Sequence, residues 1–140
     1  MNIPPPRRPP RDEGRIALLV LVLAVAVLAM IGLSVDGGGK LRAIERADNI
    51  ASEAARAAGQ AILVPQAIQG GDKVVDPAAA VTAAQNYLAA AGVTGTVAVA
   101  TDRKHVTVTV TIVYTTQFLG VIGITELPTT RQATALLVTT

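Results

Sequence analysis

The sequence predicts an α+β protein: a single N-terminal transmembrane helix, then a helix packed on a small antiparallel sheet. Three observations carry this reading. Ile16 to Val35 contain no charge, no amide side chain and no proline. Alanines and isoleucines then recur at three- and four-residue steps as far as Ile62. From Thr94 onward, valines and threonines alternate. The chain divides into a Pro/Arg-rich tail (1–15), a transmembrane helix (16–35), a glycine hinge with an alanine-rich helix (36–64) and a small α+β domain (65–140).

Length makes the membrane argument. At about 1.5 Å per residue, the Ile16–Val35 helix covers about 30 Å, the hydrocarbon thickness of a bilayer. Each Leu, Ile or Val favours insertion by about 0.3 to 0.6 kcal/mol at the helix centre. Ile16, Leu19, Leu21, Leu23, Leu28 and Ile31 are the expected anchor residues. A cleaved signal peptide is the rival reading, but its apolar region usually runs about 7 to 15 residues. Here Ala24-Val25-Ala26 lies inside the apolar run, and Ser34-Val35-Asp36-Gly37 is a poor cleavage site. A retained anchor is therefore expected. Arg7, Arg8, Arg11 and Arg15 precede the segment, whereas Lys40, Arg42 and Arg46 follow it. This modest bias places the N-terminus in the cytoplasm and the remainder outside, in a single-pass protein of the cell membrane. The proline-rich tail has nothing apolar to fold around and is expected to be an extended stub.

The next helix is read from Leu41, Ile44, Ala47, Ala51, Ala54, Ala55, Ala58 and Ile62, with charges on the other faces. An alanine stripe buries little area but lets another backbone come close, either the sheet or a neighbouring copy. Ala47, Ala51, Ala54, Ala55 and Ala58 are candidate partner contacts on that ground. Gly37-Gly38-Gly39 predict a break or bend, because each glycine costs about 1 kcal/mol inside a helix. Pro65 is expected to end the helix, with QAIQGGDK as a loop. Asp76 followed by Pro77 reads as an N-cap and first helical position. Val81, Ala84, Leu88 and Ala91 then share a face, and Gly92 is the stop.

Strands follow. TGTVAVAT places Val97 and Val99 on one side. HVTVTVTIVYT places Val106, Val108, Val110, Ile112 and Tyr114 on one side and Thr107, Thr109 and Thr111 on the other. This period of two in β-branched residues marks a half-buried strand. Thr101–Lys104 read as the hairpin turn between them, and TRQATALLVTT as a third strand. Between the last two lies QFLGVIGITELP, unusually apolar for a loop. Phe118, Leu119 and Ile122 either fold under the sheet edge as core or touch a partner or the membrane surface.

Composition narrows function. The chain has 140 residues, 51% of them hydrophobic and 2% aromatic, and a net charge of +2. Basic residues sit mostly in the tail and first helix, with no aromatic-interleaved patch, so nucleic-acid binding has no footing. Cysteine is absent, which removes thiol catalysis and thiolate metal sites. The single histidine, His105, stands in a turn beside Arg103 and Lys104 and reads as a solvated residue. Asp72, Asp76 and Asp102 lack ligand spacing, and Gly70-Gly71-Asp72-Lys73 lacks the phosphate-loop pattern. No catalytic constellation can be assembled, and no cofactor, metal or small-molecule substrate is evident.

The order of parts carries a resemblance. A basic tail ends in RDEGRIALLVLVLAVAVLAMIGLSVDGG, RAIERADNIASEAARAAGQA follows, and VTVTVTIVYTTQFLGVIGITELPTTRQATALLV closes the chain. This resembles the TadE/TadG-like proteins of tight-adherence (Flp) pilus assembly. The resemblance implies a pilin-like N-terminal helix in the membrane, a small outer domain, and partners among other pilus assembly proteins or pilins. It also implies a prepilin peptidase site at Gly14, just before the apolar run. Prepilin-type substrates carry a glutamate five residues after cleavage, where this chain has Leu19. The resemblance thus implies an uncleaved, anchored accessory or minor subunit more than a major pilin. The competing reading is a membrane-tethered extracytoplasmic binding module unrelated to pili.

Overall fold

The computed structural model describes residues 13–61 and 74–136. Helix α1 spans Glu13–Gly59 and α2 spans Pro77–Ala90; strands β1 (Thr94–Val99), β2 (His105–Thr115) and β3 (Glu126–Leu136) follow. A short 3₁₀ turn, Leu119–Ile122, lies between β2 and β3. The strands form one antiparallel sheet in the order β1-β2-β3. The α+β class expected from the sequence is therefore present. The expectations for the proline-rich tail up to residue 12, for Ile62, Pro65 and the 66–73 loop, and for the last four residues lie outside the described residues.

The register follows the alternation. Val106, Val108 and Val110 are fully buried, and Ile112 joins them at the margin. Val108 pairs with Val97 on β1 and with Ala133 on β3. The opposite face is hydroxylic: Thr107 and Thr134 bond through their hydroxyls at 3.0 Å, as do Thr111 and Thr130. Such cross-strand threonine pairs contribute a few tenths of a kcal/mol up to about 1 kcal/mol each. Pro128 is tolerated because β3 is an edge strand. β3 starts at Glu126, four residues before the TRQATALLVTT stretch that the sequence marks.

Both helices cover the valine face. α1 crosses β2 and β3, and α2 lies beside it over β1. Ala47, Ala51, Ala54, Ala55 and Ala58 are at most 2% exposed and form one cluster with Val106, Val108, Val110, Ala80, Ala84 and Leu88. This settles which surface the alanine stripe meets. It is the chain's own sheet and α2, so these five residues are not on an exposed partner surface. Their small side chains allow the helix axis to lie close over the sheet.

The caps of α2 are those the sequence indicates. Asp76 Oδ1 accepts from the Ala78 and Ala79 N–H groups at 2.9 and 3.2 Å. Gly92 adopts φ +67°, the left-handed conformation that ends a helix and that glycine takes without strain. The buried stripe of α2 is Ala80, Ala84 and Leu88, with Val81 and Ala91 at its margin rather than in it. The Arg46 guanidinium donates to the Ala91 carbonyl at 3.3 Å and ties the end of α2 to α1.

Two boundaries differ from expectation. α1 ends at Gly59, before Pro65, where the backbone turns through Gln60 and Ala61. A Cβ on Gly59 would stand 3.3 Å from that of Ala135, so the helix meets β3 closely where it ends. More consequentially, α1 passes through Gly37, Gly38 and Gly39 without a break. The intrinsic cost of three glycines is about 3 kcal/mol. What offsets it is tertiary.

Candidate functional site

The glycine segment is where the bare half of α1 meets the folded domain. Below it, nearly all side chains from Ile16 to Val35 are exposed. Leu19 is 68% exposed, and Ile16, Leu21, Leu23, Leu28 and Ile31 are likewise unpacked. Ser34 is the polar side chain of this stretch, and its hydroxyl donates to the Met30 carbonyl at 2.9 Å. That bond removes an unpaired donor from an apolar setting. α1 is thus a helix long and apolar enough to cross a membrane, consistent with a single-pass membrane protein. Gly14 lies exposed in its first turn, with no neighbouring atom within 4 Å of a built Cβ.

One face of α1 breaks this pattern. Gly32, Asp36 and Gly39 are buried, and their spacing of four and three residues aligns them along the helix. Gly39 receives Tyr114 at the end of β2, and Gly32 and Asp36 receive the segment that links β2 to β3. Asp36 is fully buried, and its carboxylate accepts four hydrogen bonds. The Gln117 N–H reaches Oδ1 at 2.7 Å, and the Phe118 and Leu119 N–H groups reach Oδ2 at 3.0 and 2.7 Å. The Tyr114 hydroxyl donates to Oδ1 at 3.2 Å. A buried charge is tolerable only when so satisfied.

The glycines make the approach possible. A Cβ on Gly39 would overlap the Tyr114 ring, and one on Gly32 would lie 2.8 Å from the Phe118 Cβ. Nothing stands within 4 Å of a Cβ built on Gly37 or Gly38. Two of the four glycines in this region are therefore seats for aromatic side chains, which is why helix and loop can meet there.

The electrostatics are consistent with the geometry. Burial pushes the Asp36 carboxyl up, but the three backbone N–H groups and the Tyr114 hydroxyl outweigh it and hold the group below the ordinary value of 3.8. Burial and the Asp36 charge push the Tyr114 phenol above its ordinary 10.0.

The loop itself is not core. Val121 is 89% exposed and Ile122 71%; Phe118 and Ile124 are also exposed, and Leu119 and Gly120 are partly covered. Of the two alternatives for Phe118, Leu119 and Ile122, burial under the sheet edge is overturned: the loop is pulled outward onto α1 by Asp36. The hairpin turn holds one smaller constellation. Asp102 Oδ2 lies 2.8 Å from His105 Nδ1, and Oδ1 accepts from the Lys104 N–H at 2.9 Å. His105 is thus paired as well as solvated, and the arrangement pins the turn at Arg103, where φ is +54°. Two shallow open grooves flank α1, one beside Arg42, Arg46 and Tyr114, the other beside Ser52, Arg56 and Ala135.

Sequence reasoning treated Asp36 as the first charge after the span and missed its role. The available signal was Gly32-x-x-x-Asp36-x-x-Gly39, small and acidic residues on one face at the end of an apolar helix. Its meaning depended on a partner about eighty residues away in the chain.

Comparison with curated proteins and with solved structures returns no match. A family comparison does. The matched region is α1 from Gly14 on plus the two residues after it, so it contains both the bare apolar half and the half that carries the domain. Over residues 14–61 the chain matches the Tad family, described as Flp pilus-assembly TadE/G-like, and this supports a role in Tad/Flp pili.

Proposed function

We propose that this chain is a non-enzymatic, single-pass membrane subunit of Tad/Flp pilus assembly, an accessory or minor pilin-like component that acts through protein–protein contacts. The observation that carries the reading is that the family match falls on α1, the helix whose first half is apolar and bare. The N-terminus lies on the cytoplasmic side and the sheet domain outside, with Ile16, Leu19, Leu21, Leu23, Leu28 and Ile31 facing lipid. The glycine-seated loop joins domain to anchor by side-chain and backbone bonds as well as by one strand of chain. The domain therefore takes one orientation on its stalk, a useful property for a subunit that must present a surface to neighbours. Because the alanine stripe is buried, contacts with other pilus components fall on surfaces that remain exposed, among them the flank of α1 within the membrane.

The test is removal of the chain from the cells that make it. Surface pili should disappear or fall sharply in number while the major pilin is still produced, and return when the chain is restored. Normal piliation without it would overturn the proposal. Mass and N-terminal sequencing of membrane-extracted protein sharpen the role. A start at Met1 supports the anchored accessory subunit, whereas a start at Arg15 means cleavage after Gly14 and processing as a pilin.

A further inference from the structure

The exposed apolar loop after β2 lies beside the end of the apolar half of α1. Phe118 packs on Gly32, which is three residues before the end of the Ile16–Val35 stretch. At 1.5 Å per residue that is about 5 Å inside the end of the span. If α1 crosses a bilayer with this stretch, the loop is level with the headgroup–acyl boundary on the domain's side. We propose that Phe118, Val121, Ile122 and Ile124 insert into that leaflet as a second, interfacial anchor beside the transmembrane helix. The proposal rests on the reading of α1 as a membrane span and adds a lipid contact made by the domain itself.

Three features fit lipid in particular. First, the zone is free of exposed charge. Between Thr115 and Glu126 the loop has no ionisable residue, and between Arg15 and Lys40 the ionisable residue of α1 is Asp36. That carboxylate is fully buried and turned onto the loop's own N–H groups.

Second, the loop satisfies much of its own backbone, as a chain at membrane depth must. The N–H groups of Gln117, Phe118 and Leu119 are bonded to Asp36. Those of Thr116, Val121, Gly123 and Ile124 are bonded to Thr125, Phe118, Gly120 and Leu119 carbonyls. Third, the apolar side chains of the loop stay open to solvent, Val121 and Ile122 most of all, while Phe118 rests partly on Gly32. Interfacial segments of this kind bury apolar side chains about 5 to 10 Å into the boundary region. In this arrangement Asp36 is a positioning residue. It holds the loop at the correct height on α1.

The absence of cysteine from the sequence makes the test direct. Single variants V121C, L23C and T109C of the full chain carry an environment-sensitive fluorophore. Each is reconstituted into phosphatidylcholine–phosphatidylglycerol vesicles containing lipids with nitroxides at shallow or deep acyl positions. The label at Val121 should emit to the blue of that at Thr109 and be quenched by shallow nitroxides. It should also show several-fold weaker quenching by aqueous iodide. The label at Leu23 should be quenched by deep nitroxides.

Iodide quenching at Val121 equal to that at Thr109, with Leu23 still deep, overturns the loop anchor and leaves the span intact. Protection of Val121 from both iodide and nitroxides also overturns it, because protein then covers the loop. A Leu23 label that reports water would mean that the span reading itself has failed.

Discussion

The two halves of α1 invert the usual relation between side-chain size and burial. From Ile16 to Val35 the large apolar side chains, leucine and valine above all, are exposed. From Ala43 to Ala58 the buried positions are nearly all alanine. In water the first half would be a liability and the second a weak core. The inversion makes sense when one helix serves two environments. Lipid rewards bulk on every face, whereas a close helix–sheet seat rewards smallness on one face. The Gly32–Asp36–Gly39 face marks the change between them.

Charge placed in each half should break one and spare the other. The largest effect is expected from Ala54→Glu, which sets an unpaired carboxylate in the buried cluster that Ala54 shares with the β2 valines. A cost of about 5 kcal/mol or more should leave the sheet domain unfolded. Limited proteolysis of the membrane-bound protein would reveal this, while fractionation should still find the chain in the membrane. An A51E/A55E double variant would act in the same way, through folding of the domain and not through loss of an exposed contact.

The mirror experiment is Leu23→Asp. It should disfavour insertion by about 3 kcal/mol, from the difference between leucine and aspartate near the helix centre. Glycosylation-mapping or carbonate extraction would measure the shift. The sheet domain, expressed with this variant, should keep its protease resistance.

Glycine substitutions sharpen the boundary between the halves. Gly39→Ala forces the Tyr114 ring aside and should destabilise the domain by about 1 to 3 kcal/mol, as overpacking does. Gly37→Ala and Gly38→Ala meet open space and should instead stabilise α1 by about 0.5 to 1 kcal/mol each. Thermal or denaturant unfolding in detergent separates the two signs. Three equal effects would show that the glycines act only through helix propensity.

The last test is of pH, where the titration of Asp36 acts only in acid. The Asp36 pKa is lower in the folded state than its ordinary 3.8, so its stabilising contribution is complete above the unfolded value. It falls away as pH drops through the folded value. In Asp36→Asn that part of the acid dependence should vanish. The variant should be less stable at neutral pH, since an amide NH₂ group would face the N–H donors of the loop.

Local pattern explains what was legible in advance. The apolar span, the valine–threonine alternation of β2, the Asp76–Pro77 cap, the Gly92 stop and the Thr101–Lys104 turn each depend on neighbours a few residues away. Periodicity and side-chain chemistry are enough for those. The same reasoning overestimated the glycine triplet, because it counted propensity without the Tyr114 ring seated on Gly39. It also left the alanine stripe open between the sheet and a second copy, since a small-residue stripe does not name the surface it fits.

What the amino-acid sequence determined by itself was the list of elements and the stretch suited to a bilayer. Tertiary structure alone decided that α1 continues through its glycines, that its alanines face β2 and β3, and that Asp36 holds the β2–β3 loop. The physical reason is separation along the chain. The bonds from Tyr114, Gln117, Phe118 and Leu119 to Asp36 join residues 78 to 83 positions apart. Only the folded sheet brings those donors to the charge that follows the span in α1.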